Sequence, residues 1–461
     1  MPSHAMANAS TDPHSASFSR MHYAWLIVAL LFPVALLNYL DRQMLSVMKS
    51  SVTSDIPFPQ AAASGSLGFF EWLSHWLGFK GSFVGEGAWG LMLGQFKWVY
   101  AVLSPIGGYI ADRFSRKWTI CLSLFAWSAV TWMTGQVTTF EGLLWTRTMM
   151  GVSEAFYIPA ALALIADYHQ AHTRSRAVGI HQIGMYCGVI IGGFSGHIAD
   201  SPDFGWRFAF TLAGIVGVIY AFPLLFIVRD NPLSHELRSK ARNEGTSSGY
   251  SMWTVLRELF GNPSFLFLVI CFTFPAMPGW IVRDWMPSIL EKQFHLSQGT
   301  AGVSATLYSN IACLLAAFGG GMMADYLMKK TQRGRIYVSA TGIFLLVPAL
   351  FGVGNASTLV MAITFLILFG IGWGFFDCNN MPILSQIVRP ELRATGYGLM
   401  NLVSISSGGF ADWGFGILRE NGYSLNFSFG VFATFALISV GFMLAIRPRS
   451  DLSTIPSSAR S

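Results

Sequence analysis

The chain has 461 residues, of which 53% are hydrophobic, 15% aromatic and only 11% charged. A soluble protein carries about a quarter charged residues, so this composition, with a mean hydropathy of +0.49, excludes that class and points to an all-α polytopic membrane protein. The net charge of +6 is spread over short connections rather than gathered on one face, which excludes a nucleic-acid partner.

Residues 1–22 are polar and read as a disordered N-terminal segment. The first apolar run is too long for a cleavable signal. A helical span needs about 20 mostly apolar residues. Twelve candidates follow, near 23–50, 86–111, 118–137, 139–168, 175–200, 206–228, 263–289, 299–326, 336–354, 358–386, 394–417 and 426–446.

The first span contains "NYLDRQ" (38–43), with Asp41 beside Arg42 in an otherwise apolar stretch. A charge at the bilayer centre costs about 2.5–3.5 kcal/mol on insertion scales, so such residues face a cavity and pair with one another. Next comes a long external connection, 52–85. Its "GFFEWLSHWLGF" places Phe69, Trp72, Leu73, Trp76 and Leu77 on one helical face, as in an amphipathic helix lying in the interface. The second span carries Lys97 and Tyr100.

The fourth span reads "RTMMGVSEAFYIP", with Arg147 about two helical turns before Glu154 on the same face. Arg147 is expected nearer the cytoplasmic side. The fifth holds a lone His181, to which no proton role is given, and Gln182. The polar, Gly/Ser-rich connection 230–262 divides the spans six and six, into bundles 23–229 and 263–447. Arg283 and Asp284, adjacent near the outer end of the seventh span, read as a gate or surface pair. The tenth span brings Trp373, Asp377 and Asn380 in "WGFFDCNNMP", the eleventh Asn401, and 448–461 is a polar tail. Cys121, Cys187, Cys271, Cys313 and Cys378 lie in apolar segments without metal-like spacing, so they read as small core residues and no metal is expected.

The basic residues orient the chain. Of the 29 Lys and Arg, one set of connections holds only Lys80, Arg207, Lys292 and Arg419. Arg42, Lys49, Lys97, Arg147 and Arg283 lie in spans, and the rest fall in the opposite connections and the tails. By the positive-inside rule both termini face the cytoplasm, and the expected location is the plasma (inner) membrane.

The halves repeat. "GGYIAD" (107–112) recurs as "GGMMAD" (320–325), "RAVG" (176–179) as "RATG" (393–396), and "GGF" (192–194) again at 408–410. "GVSEAFYIP" (151–159) matches "GFFDCNNMP" (374–382), which makes Glu154 and Asp377 equivalent. Parallel six-helix repeats with a site between them are a transporter architecture.

With these features the chain resembles the major facilitator superfamily. "GYIADRFSRK", Gly108 to Lys117, is similar to that family's G-x-x-x-D-R-x-G-R-[RK] signature, with Ser115 in place of the second Gly. Gly108 would let two helices approach, and Asp112 would pair with basic groups in the loop or on the eleventh span. Arg113, Arg116 and Lys117 join that charge network, and the second copy keeps Asp325 but lacks the following Arg. Within the superfamily the chain resembles the anion:cation symporters (hexuronate, galactonate and sialic-acid carriers) through "NYLDRQ", "WVY", "RTMMGVSEAFYIPA" and "DWMPSIL". Spinster-type carriers share "NYLDR" and a similar "GxxEA".

Two roles compete for the buried charges. A carboxyl in low dielectric can load and release protons near neutral pH, so Asp41 and Glu154 are expected to couple protons to transport. Alternatively they form a static ion-pair cluster bridging the first and fourth spans. The resemblance implies the coupling role. Arg42, whose guanidinium matches a carboxylate, is expected to face the cavity and hold an anion while Asp41 turns to a neighbouring helix. Lys97 adds a second cation there, or else snorkels outward. Tyr39, Tyr100, Gln182, Trp373, Asp377, Asn380 and Asn401 are candidate walls. The Walker pattern is absent, so no cofactor is expected and the proton gradient is the energy source. The expectation is a monomeric, non-enzymatic, proton-coupled symporter of a small organic anion such as a sugar acid. The alternatives are an amphipath exporter or a neutral-sugar carrier.

Overall fold

The computed structural model describes residues 13–59, 84–113, 115–169, 171–231, 252–389 and 392–449, and its regular structure among them is helical. Twelve long helices follow in order: α1 Pro13–Val47, α2 Gly85–Arg113, α3 Arg116–Thr134, α4 Phe140–Tyr168, α5 Thr173–Ala199, α6 Gly205–Ile227, α7 Pro263–Phe294, α8 Gln298–Met328, α9 Gly334–Gly354, α10 Leu359–Ile387, α11 Arg393–Glu420 and α12 Leu425–Ala445. Among the described residues, 9 helices are apolar and long enough to cross a membrane on composition alone. The remaining three, α2, α3 and α11, are diluted by glycine, hydroxyl and charged side chains.

The boundaries follow local chemistry. Ser115, Thr139, Ser297, Thr358 and Ser424 each accept a backbone N–H from the first turn of α3, α4, α8, α10 and α12. Pro13 and Pro263 stand first in α1 and α7, where a missing N–H costs nothing. Helix α1 therefore begins inside the stretch expected to be disordered. A short helix, Met252–Phe260, likewise forms within the expected linker, and its Glu258 pairs with Arg389. The proposed interfacial helix around 69–77, residues 1–12, 232–251 and the tail from 450 lie outside the described residues.

Helices α1–α6 and α7–α12 form two bundles that meet along α2–α11 and α5–α8. With twelve helices both chain ends lie at one end of the molecule, the terminal end; the opposite end is the distal end. The bundles close on each other distally. A Cβ at Gly90 would stand 2.4 Å from the Asp412 carbonyl oxygen, one at Gly94 2.6 Å from that of Gly409, and one at Gly302 2.3 Å from that of Gly193. Small residues four apart thus let α2 lie directly on α11. Nearer the terminal end, an added Cβ at Gly179 of α5 or Gly398 of α11 meets nothing within 4 Å. Outward-facing Trp145, Phe226 and Phe318 make an apolar exterior suited to a bilayer.

The repeat is visible in three dimensions. Helix α4 breaks immediately after Glu154 and α10 immediately after Asp377. The glycine that brings α2 against the α4 break is Gly107, where a Cβ would stand 2.7 Å from the Ala155 carbonyl. Gly320 does the same against Phe375. This corrects the expectation for Gly108, where a Cβ would make only ordinary contact, at 3.8 Å, with Pro159.

A cavity between the two bundles

A cavity of about 240 Å³ lies between the halves. Tyr39, Arg42, Lys97, Tyr100, Gln182, Trp373, Asp377 and Asn401 all line it, as do Arg283, Tyr186, Asn310 and Trp280. The expected wall residue Asn380 does not. It is buried behind the wall and donates through Nδ2 to Asp377 Oδ1 at 3.2 Å.

Adjacent positions on a helix point about 100° apart, and Asp41 and Arg42 show the consequence. Arg42 turns to the cavity. Its guanidinium carbon lies 5.0 Å from the Tyr39 ring centroid, 4.8 Å from Phe96 and 4.9 Å from Tyr100. Its Nε donates to Glu154 Oε2 at 2.6 Å, and Glu154 itself is fully buried. Asp41 turns to α3, where its Oδ2 accepts from Thr131 Oγ1 at 3.0 Å. Its buried Oδ1 has no hydrogen-bond donor among the described residues.

Arg147 donates to Thr134 Oγ1, at the last residue of α3, at 3.2 Å. That places it on the distal side of Glu154, opposite to expectation. Helix α4 starts distally, so an earlier residue lies further from the terminal end. His181 bonds the Tyr157 hydroxyl through Nε2 at 2.9 Å, away from the ion pairs.

Lys97 is corrected more strongly. Its ammonium is not left for a ligand but is held between two carboxylates, Asp284 on α7 at 2.5 Å and Asp412 on α11. Asp412 also accepts from Trp285 Nε1 at 3.2 Å, and Ser46 faces Asp284 at 3.5 Å. All three charges are buried. Asp284 is therefore part of a buried joint between the bundles, not of a surface pair. Its neighbour Arg283 points elsewhere, into the cavity over Trp280 and Tyr39. Asp412 escaped the sequence reading, although a carboxylate in "GGFADWGFG" of one crossing helix and a lysine in the other were the available signal.

A second set of polar contacts caps this joint. Glu86 pairs with Lys49 and with Lys292 at 2.7 Å, and its backbone N–H donates to Glu420 at 2.7 Å. At the terminal end the signature region stays within each half. Arg116 pairs with Asp167, the Lys117 backbone N–H donates to Asp230 at 3.0 Å, and Asp325 stands 3.6 Å from Arg335. The side chains of Asp112 and Arg113 lie outside the described ones.

Comparison with known proteins agrees with this architecture. The profile of the Major Facilitator Superfamily matches residues 31–411. Protein spinster homolog 1 of Homo sapiens is 28% identical over 82% of this chain and 70% of its own. An MFS-type efflux pump of Mycolicibacterium smegmatis is 25% identical over 90% and 88%. Among solved structures, a bacterial homolog of the human lysosomal transporter Spinster, in an inward-facing and unoccupied conformation, superposes with a TM-score of 0.73 at 20% identity, covering 94% of this chain and 99% of its own. A D-xylose-proton symporter gives 0.72 at 17% identity over 94% and 100%.

Proposed function

This chain belongs to the Major Facilitator Superfamily, and on that premise we propose that it is a proton-coupled symporter of a small organic anion. It is a multi-pass membrane transporter that moves a small molecule by alternating access, and not an enzyme. One observation carries the finer reading: the cavity-facing Arg42 is held by the buried Glu154 at 2.6 Å. A substrate carboxylate that takes the guanidinium displaces Glu154, which is then left buried without its cation and takes up a proton, because an uncompensated buried charge is expensive. Asp41, with one oxygen lacking a donor, is the second place for a proton. The proton gradient supplies the energy, without a bound cofactor. The working unit is one chain in the plasma (inner) membrane with both termini cytoplasmic, and the structure then corresponds to the inward-facing state.

Proteoliposomes with an acidic outside test this. Wild-type protein accumulates the anion above equilibrium. Glu154→Gln, which cannot take a proton, is expected to reduce accumulation to the equilibrium level while leaving anion exchange. Gradient-driven accumulation by Glu154→Gln equal to wild type would refute the coupling role.

A second reading, a Spinster-like carrier of an amphipathic molecule, is favoured by the relatives and by the aromatic cavity wall of Phe96, Phe272, Phe369, Trp280 and Trp373. A single-chain lysolipid that blocks binding where hydrophilic anions do not would select it.

A further inference from the structure

Each bundle carries the same pair of charges. On α1, Tyr39 precedes Arg42 by three positions; on α7, Trp280 precedes Arg283 by three. In both, the guanidinium carbon lies over the preceding ring, at 5.0 Å for Arg42 and 5.1 Å for Arg283. The two helices meet at this level, where Gln43 Nε2 donates to the Arg283 carbonyl at 3.2 Å. On α4 and α10 the carboxylates Glu154 and Asp377 each end a half-helix. Arg42 and Glu154 of the first half thus correspond to Arg283 and Asp377 of the second.

The two pairs are in different states. The first is closed by an ion pair. The second is open. Among the described residues Arg283 has no ion-pair partner, and Asp377 is met only by the Asn380 amide at 3.2 Å. Both Arg283 and Asp377 line the cavity. Arg283 also lies 5.4 Å from the same Tyr39 ring that Arg42 covers, so the two guanidinium groups flank one spot.

We infer that the open pair is where the substrate is held: Arg283 takes its carboxylate beside Arg42, and Asp377 accepts a hydrogen bond from one of its hydroxyls. This rests on the organic-anion reading and narrows it to hydroxy monocarboxylates. Asp377 is only half-buried and faces the cavity, unlike the sealed Glu154, and an ionised carboxylate accepts hydrogen bonds only. Asn380 already supplies one donor to Asp377, and the ligand supplies the next. An alkyl acid leaves that acceptor unmet, and a sugar without the acid group leaves Arg283 unmet, each a loss worth about tenfold or more in affinity.

The test is binding to purified full-length protein, read from the fluorescence of the wall tryptophans, with D-gluconate, hexanoate and D-glucose as probes. Wild-type protein is expected to bind gluconate at least about tenfold more tightly than either other probe. Arg283→Gln should lose gluconate binding and Arg283→Lys should restore part of it. Asp377→Ala should weaken gluconate about tenfold while leaving hexanoate unchanged. An unaltered melting temperature in Arg283→Lys and in the milder Asp377→Asn shows that the fold is intact. The inference is overturned if gluconate fails to bind, if gluconate and hexanoate bind alike, or if both positions can be changed without moving gluconate affinity. Should Glu154→Gln still abolish proton-driven uptake of another anion in that case, the coupling reading stands and this one alone falls.

Discussion

Lys97→Met is expected to destabilise the protein by about 3–5 kcal/mol, the cost of breaking a buried ion pair from one side. Lys97 is the shared cation of Asp284 and Asp412, all three are buried, and they sit where α2 meets α7 and α11. Without the ammonium, two carboxylates of the second bundle, on α7 and α11, face each other in low dielectric, and the bridge that ties them to α2 of the first bundle at the distal end is lost. The measurement is the melting temperature in detergent. The control is the triple variant Lys97→Met, Asp284→Asn, Asp412→Asn, in which no charge is left behind. It should recover most of the loss, since a buried ion pair replaced as a whole is close to neutral. A single variant that melts like wild type, or a triple variant no better than the single, would show that the three do not form one electrostatic unit.

Gly90→Val should have the second-largest effect, on conformation rather than on charge. The Asp412 carbonyl oxygen lies 2.4 Å and the Trp413 Cα 3.0 Å from where a Cβ would stand. Both are backbone atoms, so no rotamer change relieves the clash. Overpacking of this kind costs about 1–3 kcal/mol. The distally sealed form bears that cost and a distally open form does not, so their ratio should fall by about 5–150-fold. Spin labels at Asp203 and Tyr423, both exposed in distal connections, should report a longer distance in the variant. The apparent affinity for substrate offered from the terminal side should fall with it. An unchanged distance distribution would mean that the Gly90–Asp412 contact does not govern the seal.

Most of the architecture is legible in the sequence because the bilayer imposes a simple rule on it. Spans must be about 20 apolar residues, so twelve can be counted. Ionisable residues inside them are costly, so Arg42, Glu154 and Asp377 stand out along the chain itself. The 3.6-residue period also separates Asp41 from Arg42 correctly, since a single helix decides that geometry. The match of "GVSEAFYIP" to "GFFDCNNMP" makes Glu154 and Asp377 equivalent along the chain, whereas the helix breaks that follow them are seen only in the structure.

What stays hidden in the sequence depends on which helices touch. Lys97 reads as a ligand for an anion because, on its own helix, it is a lone buried cation. Only the crossing of α2 with α11 and the approach of α7 turn it into the centre of an interbundle joint. Arg283 and Asp284 read as one pair because they are neighbours along the chain. Packing sends one to the cavity and the other to Lys97. Arg147 lies distal to Glu154, not on its terminal side, because of the direction in which α4 runs. Gly107 rather than Gly108 makes the close approach because one helical position, about 100° of rotation, decides which glycine faces the neighbouring backbone. Length, polarity and repeat are properties of one segment, so the sequence by itself determined the twelve helices, the two halves and several of the buried charges, Asp41, Lys97, Arg147 and Glu154 among them. Pairing is a property of two segments brought within a few ångströms, and the tertiary structure alone decided which charge each of the others meets.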